Sequence, residues 1–267
     1  MPQPRTVGSA TVTALDDGSG TFFKTRDEAF PSATPEDWAR ADALDPSART
    51  EDGQWLLRFR CFAIRLDRGE TVLVDTGIGP VEAPAAAWAP VPGRLPEELA
   101  AAGIAPSEVS AVVLTHLHTD HIGWAVVADG EVKRPYFPNA RYVLQRAEAA
   151  AFEQTSARHW ALDPLRETGQ LHLVDGTTVL GPGLSTVATP GHTPGHQCVL
   201  LESGDETVAV TGDLLVHAIQ LAVPTIGYAI EADQEQAAQA RIAMFRRLSE
   251  TGGTLATAHL SEPWLHL

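Results

Sequence analysis

The sequence predicts an α/β fold in which helices cover two layers of β-sheet. Short segments rich in β-branched and apolar residues recur along all 267 residues, and only two segments carry clear helix signals. Two strand-like segments in different halves of the chain also end alike, TVLVDTG at 71–77 and TVAVTGD at 207–213. We therefore expect residues 1–267 to form a single domain built from two related halves.

The strands are predicted from β-branched and aromatic density. Segment 55–66, for example, places Leu57 and Phe59 in alternation with Arg58 and Arg60. Nine segments are predicted as strands in this way: 11–15, 55–66, 71–75, 111–115, 141–144, 171–174, 185–188, 197–201 and 207–211.

Two helices are predicted from their end signals. The first begins near Pro96, which two glutamates follow, and ends at Gly103. The second begins after Asp233, with Gln236 at the spacing of a capping box. It continues with apolar residues at helical spacing and ends at Gly252.

Two segments are predicted as long connections because they are rich in proline, serine, aspartate and alanine. They are residues 16–53, which we interpret as a loop insertion, and residues 80–95. Long loops in compact domains are often functional, so the first segment is a candidate lid over a binding site.

Charge and composition limit the possible partners. The chain has 19 lysines and arginines against 34 aspartates and glutamates, a net charge of −15. Such a surface repels nucleic acid and anionic membranes.

The longest apolar run, 214–230, is interrupted by polar residues, and we expect neither a membrane span nor an export signal. Only two cysteines are present, so no disulfide framework is expected and a cytoplasmic location is predicted.

The segment with the clearest chemistry is AVVLTHLHTDHIG at 111–123, in which a strand runs into His116, His118, Asp120 and His121. Imidazole nitrogens and carboxylate oxygens are ligands that zinc accepts. Four of them within six residues can serve more than one ion, because neighbouring side chains point in different directions. A polar loop that happens to be rich in histidine is the alternative.

Three later residues are candidate ligands, because each lies where an apolar segment ends in a loop. His192 lies in the turn TPGHTPGH, Asp213 ends TVAVTGD, and His259 ends TLATAH. A carboxylate such as Asp213 has two oxygens and can bridge two cations. Ordinary roles in a turn or a solvated loop remain open for each of them. His196, in the same turn as His192, could support a ligand or be a plain turn residue.

Together with the early Asp75-Thr76-Gly77, these motifs resemble the metallo-β-lactamase fold superfamily of binuclear metallohydrolases. The resemblance implies a four-layer αββα sandwich of two mixed sheets flanked by helices. It also implies a support role for Asp75 beside a ligating histidine, without contact to metal. The implied ligand groups are His116, His118 and His192 for one metal, Asp120, His121 and His259 for the other, and Asp213 between them.

The resemblance further implies hydrolysis with two divalent metal ions. Zinc is the expected metal, although the same ligands accept manganese, iron or cobalt. A hydroxide bridging two such cations forms near neutral pH and can attack a carbonyl or phosphoryl centre. Asp120 is then expected to act catalytically, taking up a proton and returning it to the leaving group.

Among the branches of that superfamily, the chain most resembles the lactonase, arylesterase and methyl-parathion-hydrolase-like branch. Acyl-homoserine-lactone lactonases carry a tyrosine three residues after the bridging aspartate, and this chain has Val216 there. The expected reaction is cleavage of an ester, a lactone or a related bond in a small molecule. The alternatives are a thioesterase, a phosphotriester hydrolase, or a non-hydrolytic di-iron redox or binding protein.

The substrate pocket is predicted to include Phe22, Phe23, Trp124 and His217. Aromatic side chains near the metal motifs can line an apolar pocket over the metals. They can equally anchor loops onto the core, or form the interface of a homodimer.

Overall fold

The structure, a computed structural model, describes residues 1–130 and 132–267. The strands among these residues are β1 (Gln3–Val7), β2 (Ala10–Thr21), β3 (Leu56–Arg65), β4 (Thr71–Val74), β5 (Val109–Val113), β6 (Val126–Asp129), β7 (Val132–Pro135), β8 (Arg141–Gln145), β9 (Leu171–Val174), β10 (Thr178–Gly181), β11 (Leu184–Ala188), β12 (Gln197–Ser203), β13 (Glu206–Val210), β14 (Thr254–Ala256) and β15 (Trp264–His266). The α-helices are α1 (Arg26–Ala29), α2 (Pro35–Leu44), α3 (Leu95–Ala101), α4 (Arg146–Ala151), α5 (Asp163–Glu167), α6 (Ala218–Ala222) and α7 (Gln234–Thr251).

The strands form two mixed sheets. The first has the order β1-β2-β3-β4-β5-β8-β9, antiparallel as far as β4 and parallel from there on. The second has the order β10-β11-β12-β13-β14-β15, in which only β13 and β14 are parallel. Strands β6 and β7 form a separate hairpin. The carboxyl ends of β5, β11, β13 and β14 lead into the loops that carry the candidate ligands, and that of β4 leads to Asp75.

The two sheets face each other across a shared apolar core. Ile64, Val72 and Val113 of the first sheet belong to the same buried cluster as Val199 and Val210 of the second. Residues that point to this side of strands β2, β3, β4, β5, β12 and β13 are almost fully buried. Burial of apolar surface between the sheets therefore joins the two halves.

The helices cover the outer faces of the sheets. Leu99 of α3 packs in one cluster with Leu73 of the first sheet. Leu248 of α7 packs in another with Leu255 of the second sheet. This arrangement confirms the predicted αββα sandwich.

The nine predicted strands all occur, with ends shifted by up to two residues in the core strands, and β2 and β12 extend further. Both predicted helices occur as α3 and α7. The Asp233 side chain caps α7 by accepting a hydrogen bond from the N–H of Gln236 at 2.9 Å. Gly252 ends the helix in the left-handed region, at φ 61°. The short strands β1, β6, β7, β10 and β15 were not predicted, whereas β14 corresponds to the short apolar segment expected before His259.

The prediction that residues 16–53 form a long loop insertion was wrong. Strand β2 continues to Thr21, and helices α1 and α2 follow, each with a capping box at its start. Gly18 and Gly20 lie within this strand, and another segment packs closely on Gly20. A Cβ atom on Gly20 would come within 2.8 Å of Pro90.

Among the described helices, none has the length and apolar character needed to cross a membrane.

Candidate metal centre

The His116–His121 segment leaves the carboxyl end of β5 and is anchored by its apolar residues. Leu117 and Ile122 are buried in the core beneath the first sheet. Because Leu117 alternates with the two histidines, His116 and His118 are directed away from that core. The motif is therefore fixed in place by the same hydrophobic effect that holds the strand.

The candidate ligands form two groups, in each of which the ligand atoms lie within 4.8 Å of one another. Strand ends that are far apart in the sequence bring them together. The first group contains His116, His118, His192 and Asp213, and the second contains Asp120, His121 and His259. All seven residues that were singled out from the sequence belong to one of the two groups.

Asp213 contacts both groups, one with each carboxylate oxygen. Its Oδ2 lies 3.1 Å from Nε2 of His192 and 3.7 Å from Nε2 of His116. Its Oδ1 lies 2.9 Å from Nε2 of His259 and 3.1 Å from Nε2 of His121. A carboxylate in this position can bind two cations at once.

The ring nitrogens and carboxylate oxygens that meet between the two groups can act as ligands of a cation. Nε2 of His116 is buried and lacks a hydrogen-bond partner among the described residues. Nδ1 of His118 and Nε2 of His192 face each other at 2.9 Å. Buried donors and acceptors are normally paired, and ring nitrogens converging with a carboxylate form a typical zinc ligand set. The residues therefore fit two divalent metal ions.

Neighbouring groups orient the histidines. Nδ1 of His259 donates to the backbone oxygen of Arg58 at 2.7 Å, and Nδ1 of His121 donates to Oδ2 of Asp75 at 2.8 Å. Both Nε2 atoms are therefore directed towards Asp213. A ligating histidine commonly has such a partner on its other nitrogen, because the partner fixes the tautomer.

Asp75 is itself rigidly held. Thr115 donates to it twice, from its backbone N–H at 2.7 Å and from its hydroxyl at 2.8 Å. Asp75 is also the only non-glycine residue in the described chain with a positive φ, 60°. A backbone conformation of this kind costs free energy and is typical of functional sites. The structure thus places Asp75 against His121 and outside both ligand groups.

The negative charge of nearby carboxylates and the burial of the rings have opposite effects on the pKa of these histidines. Burial lowers the pKa of His116 and His118 well below the ordinary value, which keeps them neutral and able to bind metal. Burial acts most strongly on His121 and His259 too and in the same direction, but the carboxylates of Asp213 and Asp120, joined by Asp75 at His121, together outweigh it and raise their pKa. Positive charge is thus favoured beside Asp213, whether it comes from protons or from metal ions.

A cavity of about 250 Å³ opens directly over the two groups. His118, Asp120, His192, Asp213 and His259 form its polar part. The rest of its lining is mainly apolar and aromatic: Phe22, Phe23, Leu57, Trp88, Leu117, Phe152, Val216, Tyr228 and Ile230. Small-molecule sites commonly combine an apolar wall with a few convergent polar groups.

Two of the four predicted pocket residues line this cavity and two do not. Phe22 is buried in its wall, and Phe23 is 60% exposed. Trp124 lies elsewhere because its indole N–H donates to Asp17 and its ring packs on Tyr136. The prediction for Trp124 was therefore wrong.

The prediction for His217 was also wrong. This residue caps helix α6, where its Nδ1 accepts a hydrogen bond from the N–H of Ile219 at 3.0 Å. Its ring packs among Phe30, Trp38 and Trp55, away from the cavity. Its proximity to Asp213 in the sequence does not extend to the cavity because the chain turns into α6 at this point.

The sequence profile of the Metallo-beta-lactamase superfamily matches residues 60–259, three quarters of the chain. The chain belongs to this superfamily. The match confirms the resemblance drawn from the histidine motif, and it includes every residue of the two ligand groups.

Several N-acyl homoserine lactonases are similar in sequence to this superfamily member. The lactonase AttM of Rhizobium johnstonii is 31% identical over 186 residues, which are 63% of this chain and 64% of that protein. A lactonase of Bacillus sp is 27% identical over 138 residues, which are 51% of each chain. The aligned part of the chain thus spans between half and two thirds of the length of these relatives.

Solved structures of the same fold match along the whole chain. The hydrolase AbOPH has a TM-score of 0.81 and 23% identity, with 99% of this chain and 92% of that chain covered. AidC, described as a dizinc quorum-quenching lactonase in complex with a homoserine product, has a TM-score of 0.79 and 19% identity, with 100% and 96% covered. These neighbours confirm the fold.

Three buried residues support the metal centre of this superfamily member. Two of them were not recognised from the sequence, and the role of the third was left open. Glu148 accepts hydrogen bonds from the N–H groups of Leu117 and Gly195 and so joins the two histidine loops. Asp17 accepts from the N–H groups of Ile78 and Leu95, both at 2.6 Å. No local motif marks Glu148 or Asp17, because their partners are remote in sequence.

His196, left open in the sequence, supports Asp213 from behind. Its Nε2 accepts a hydrogen bond from the N–H of Asp213 at 3.0 Å, and its Nδ1 lies 2.8 Å from the hydroxyl of Thr189. Burial lowers the pKa of His196 to about 3, so the ring stays neutral and can accept this bond. It belongs to neither ligand group.

Proposed function

We propose that this protein is a zinc-dependent hydrolase that opens a lactone, or cleaves a closely related ester, in a neutral small molecule. The observation that carries the proposal is the position of Asp213, which contacts two histidine groups at the floor of an apolar cavity. The sequence similarity to N-acyl homoserine lactonases supports a lactone as the substrate.

Two ions are assigned to the two groups. His116, His118 and His192 would hold one, Asp120, His121 and His259 the other, and Asp213 would contact both. Zinc is preferred because nitrogen ligands outnumber carboxylates, and because AidC, a structural neighbour, is described as a dizinc lactonase. When bound, two such cations supply Lewis acidity and lower the pKa of water at the site.

The residues of the chain bind, orient and move protons. Asp75 and the backbone oxygen of Arg58 hold His121 and His259, so that their Nε2 atoms stay directed at Asp213. Oδ2 of Asp120 lies 3.6 Å from Nε2 of both histidines. The carboxylate also borders the cavity, where we assign to it the uptake of a proton and its return to the leaving oxygen.

The cavity lining supports a neutral substrate with an apolar part. No lysine or arginine occurs among the lining residues in the described chain, so an anionic substrate would have no counter-charge outside the ligand groups. Phe22, Trp88 and Phe152 offer apolar surface for an acyl chain.

The test is a substrate panel containing N-hexanoyl-homoserine lactone, an aryl ester, a thioester and a phosphotriester, run with zinc-loaded protein. We expect lactone hydrolysis in the wild type and its loss in His118→Ala. His172→Ala, which changes an exposed histidine on β9, is the matched control and should keep full activity. Full activity in His118→Ala would overturn the proposed centre, and hydrolysis of the phosphotriester alone would overturn the lactone assignment.

A cytoplasmic location and a homodimer stay predictions from the sequence. The cysteines Cys61 and Cys198 are both free and buried, which is compatible with a reducing compartment.

A further inference from the structure

Tyr228 lies in the cavity wall beside the candidate metal ligands. Its ring is nearly parallel to that of His192, with centroids 6.1 Å apart and 3° between the planes. The residue is only 4% exposed and lines the same cavity as Asp120 and Asp213. Its side chain is therefore at the centre of the site rather than at the mouth.

The ring is held rigidly by other aromatic side chains. Phe30 stacks on it at 5.3 Å, and Phe22 and Trp55 lie 6.2 and 5.9 Å away. The Tyr228 backbone is fixed as well, because its N–H donates to Oε2 of the buried Glu231 at 2.9 Å. A side chain held in this way loses little further entropy when a ligand binds.

The hydroxyl of Tyr228 is available as a donor. Every hydrogen bond that Tyr228 makes with the described residues uses its backbone. The N–H donates to Glu231, and the carbonyl oxygen accepts from the side chain of Gln234 and from the N–H of Glu231. A tyrosine phenol carries its proton at neutral pH, so this hydroxyl can donate a hydrogen bond.

The other neutral hydroxyls around the cavity are less buried. Thr119, whose hydroxyl accepts a hydrogen bond from the indole N–H of Trp88, is only half-buried, and the exposed Thr155 donates to the backbone oxygen of Phe152. Ser156 is exposed. Val216, which follows Asp213 by three residues in the cavity lining, has no polar side-chain atom. Tyr228 is thus the buried neutral donor that remains for a ligand.

We propose that Tyr228 donates a hydrogen bond from its phenolic O–H to the carbonyl oxygen of the bound lactone or ester. This inference rests on the proposed function and names the residue that orients its substrate. No bond forms or breaks at Tyr228. The hydrogen bond strengthens as negative charge develops on the carbonyl oxygen, which favours the transition state over the ground state.

Tyr228→Phe tests the proposal because it removes one oxygen and keeps the ring packing. With N-hexanoyl-homoserine lactone and zinc-loaded protein, we expect kcat/KM to fall by about a hundredfold, with the larger part in kcat. Affinity for the product N-hexanoyl-L-homoserine, measured by calorimetry, should weaken about tenfold. Zinc content and melting temperature should stay at wild-type values. Tyr136→Phe, outside the cavity, is the control and should change neither kcat/KM nor product affinity.

The possible outcomes separate this inference from the proposed function. A wild-type protein that binds zinc and hydrolyses no lactone or ester contradicts the proposed function itself. A wild-type protein that hydrolyses the lactone while Tyr228→Phe retains its kcat/KM and product affinity contradicts only the role of Tyr228. Loss of zinc or of a cooperative melt in Tyr228→Phe also overturns the inference, because the hydroxyl would then be structural.

Discussion

Arg241 and Glu231 form an ion pair in which the two side chains are 0% and 1% exposed. Arg241 also donates from Nε to the backbone oxygen of Leu214 at 2.7 Å and from Nη1 to that of Pro224 at 2.7 Å. Glu231 accepts from the N–H of Tyr228 at 2.9 Å. The pair therefore fixes the segment that begins beside Asp213 and ends at Tyr228, which is one wall of the cavity.

Glu231→Gln should lower the free energy of unfolding by about 3 kcal/mol, because it leaves the Arg241 charge buried without its counter-ion. Urea unfolding at neutral pH measures this change. Glu202→Gln breaks an exposed pair with Arg247 and should cost less than about 1 kcal/mol. Equal costs for the two variants would show that the buried pair does not stabilise the cavity wall.

Asp75→Asn should weaken zinc binding by about 10-fold to 100-fold, because His121 loses the carboxylate that fixes its tautomer. Competition with a chromophoric chelator measures the affinity. Asp205→Asn, in an exposed turn, should leave it unchanged. Unaltered affinity in Asp75→Asn would mean that the backbone alone orients His121.

Glu148→Gln should lower both stability and zinc affinity. The amide nitrogen would face the N–H of Leu117 or of Gly195, which leaves a buried donor unpaired at a cost of about 1 to 3 kcal/mol. Since these two N–H groups belong to the two histidine loops, the spacing between their ligands should also loosen. Glu167→Gln, on an exposed turn of helix α5, is the control for unfolding and for metal content. A variant with wild-type values in both measurements would contradict the bridging role of Glu148.

His217 should make the protein less stable as the pH falls. Burial, followed by the charge of Arg26, lowers the pKa of His217 to about 3, whereas the unfolded chain takes up this proton near pH 6.5. Protons therefore bind preferentially to the unfolded state below pH 6.5, and stability decreases by as much as about 1.4 kcal/mol per pH unit down to the folded pKa.

His217→Gln removes this contribution and keeps an acceptor for the N–H of Ile219. Between pH 6 and pH 4.5, its unfolding free energy should fall less steeply than that of the wild type. The other buried groups titrate in both proteins and cancel in the difference. If the unfolding free energies of the two proteins changed with pH at the same slope, His217 would have the same protonation state in the folded and unfolded protein.

The layers of the fold and the seven candidate metal ligands could be predicted from the sequence, because both depend on patterns within short segments. Leu117 and Ile122 alternate with the histidines, and the apolar strand before them is unmistakable. Asp213 and His259 each follow an apolar strand, and the parallel pairing of β13 with β14 brings these two strand ends to one edge of the sheet. His192 lies in the turn between the antiparallel strands β11 and β12.

What the sequence did not predict depends on contacts between remote segments. Tyr228 reaches the cavity only because the buried Glu231 holds its backbone, and Glu148 acts on two loops that precede and follow it by many residues. Residues 16–21 were predicted as part of a long connection from the composition of their segment, but they belong to β2, where Pro90 packs against Gly20. Trp124 was placed in the pocket because it follows the histidine motif, whereas its hydrogen bond to Asp17 directs it elsewhere.

A zinc titration of chelator-treated protein tests the central claim most directly, with hydrolysis of N-hexanoyl-homoserine lactone as the readout. Two ligand groups that share Asp213 predict no hydrolysis without metal and a rise to a plateau at about two equivalents of zinc per chain. Hydrolysis that survives complete removal of metal, or zinc-loaded protein that cleaves no lactone, would contradict the account.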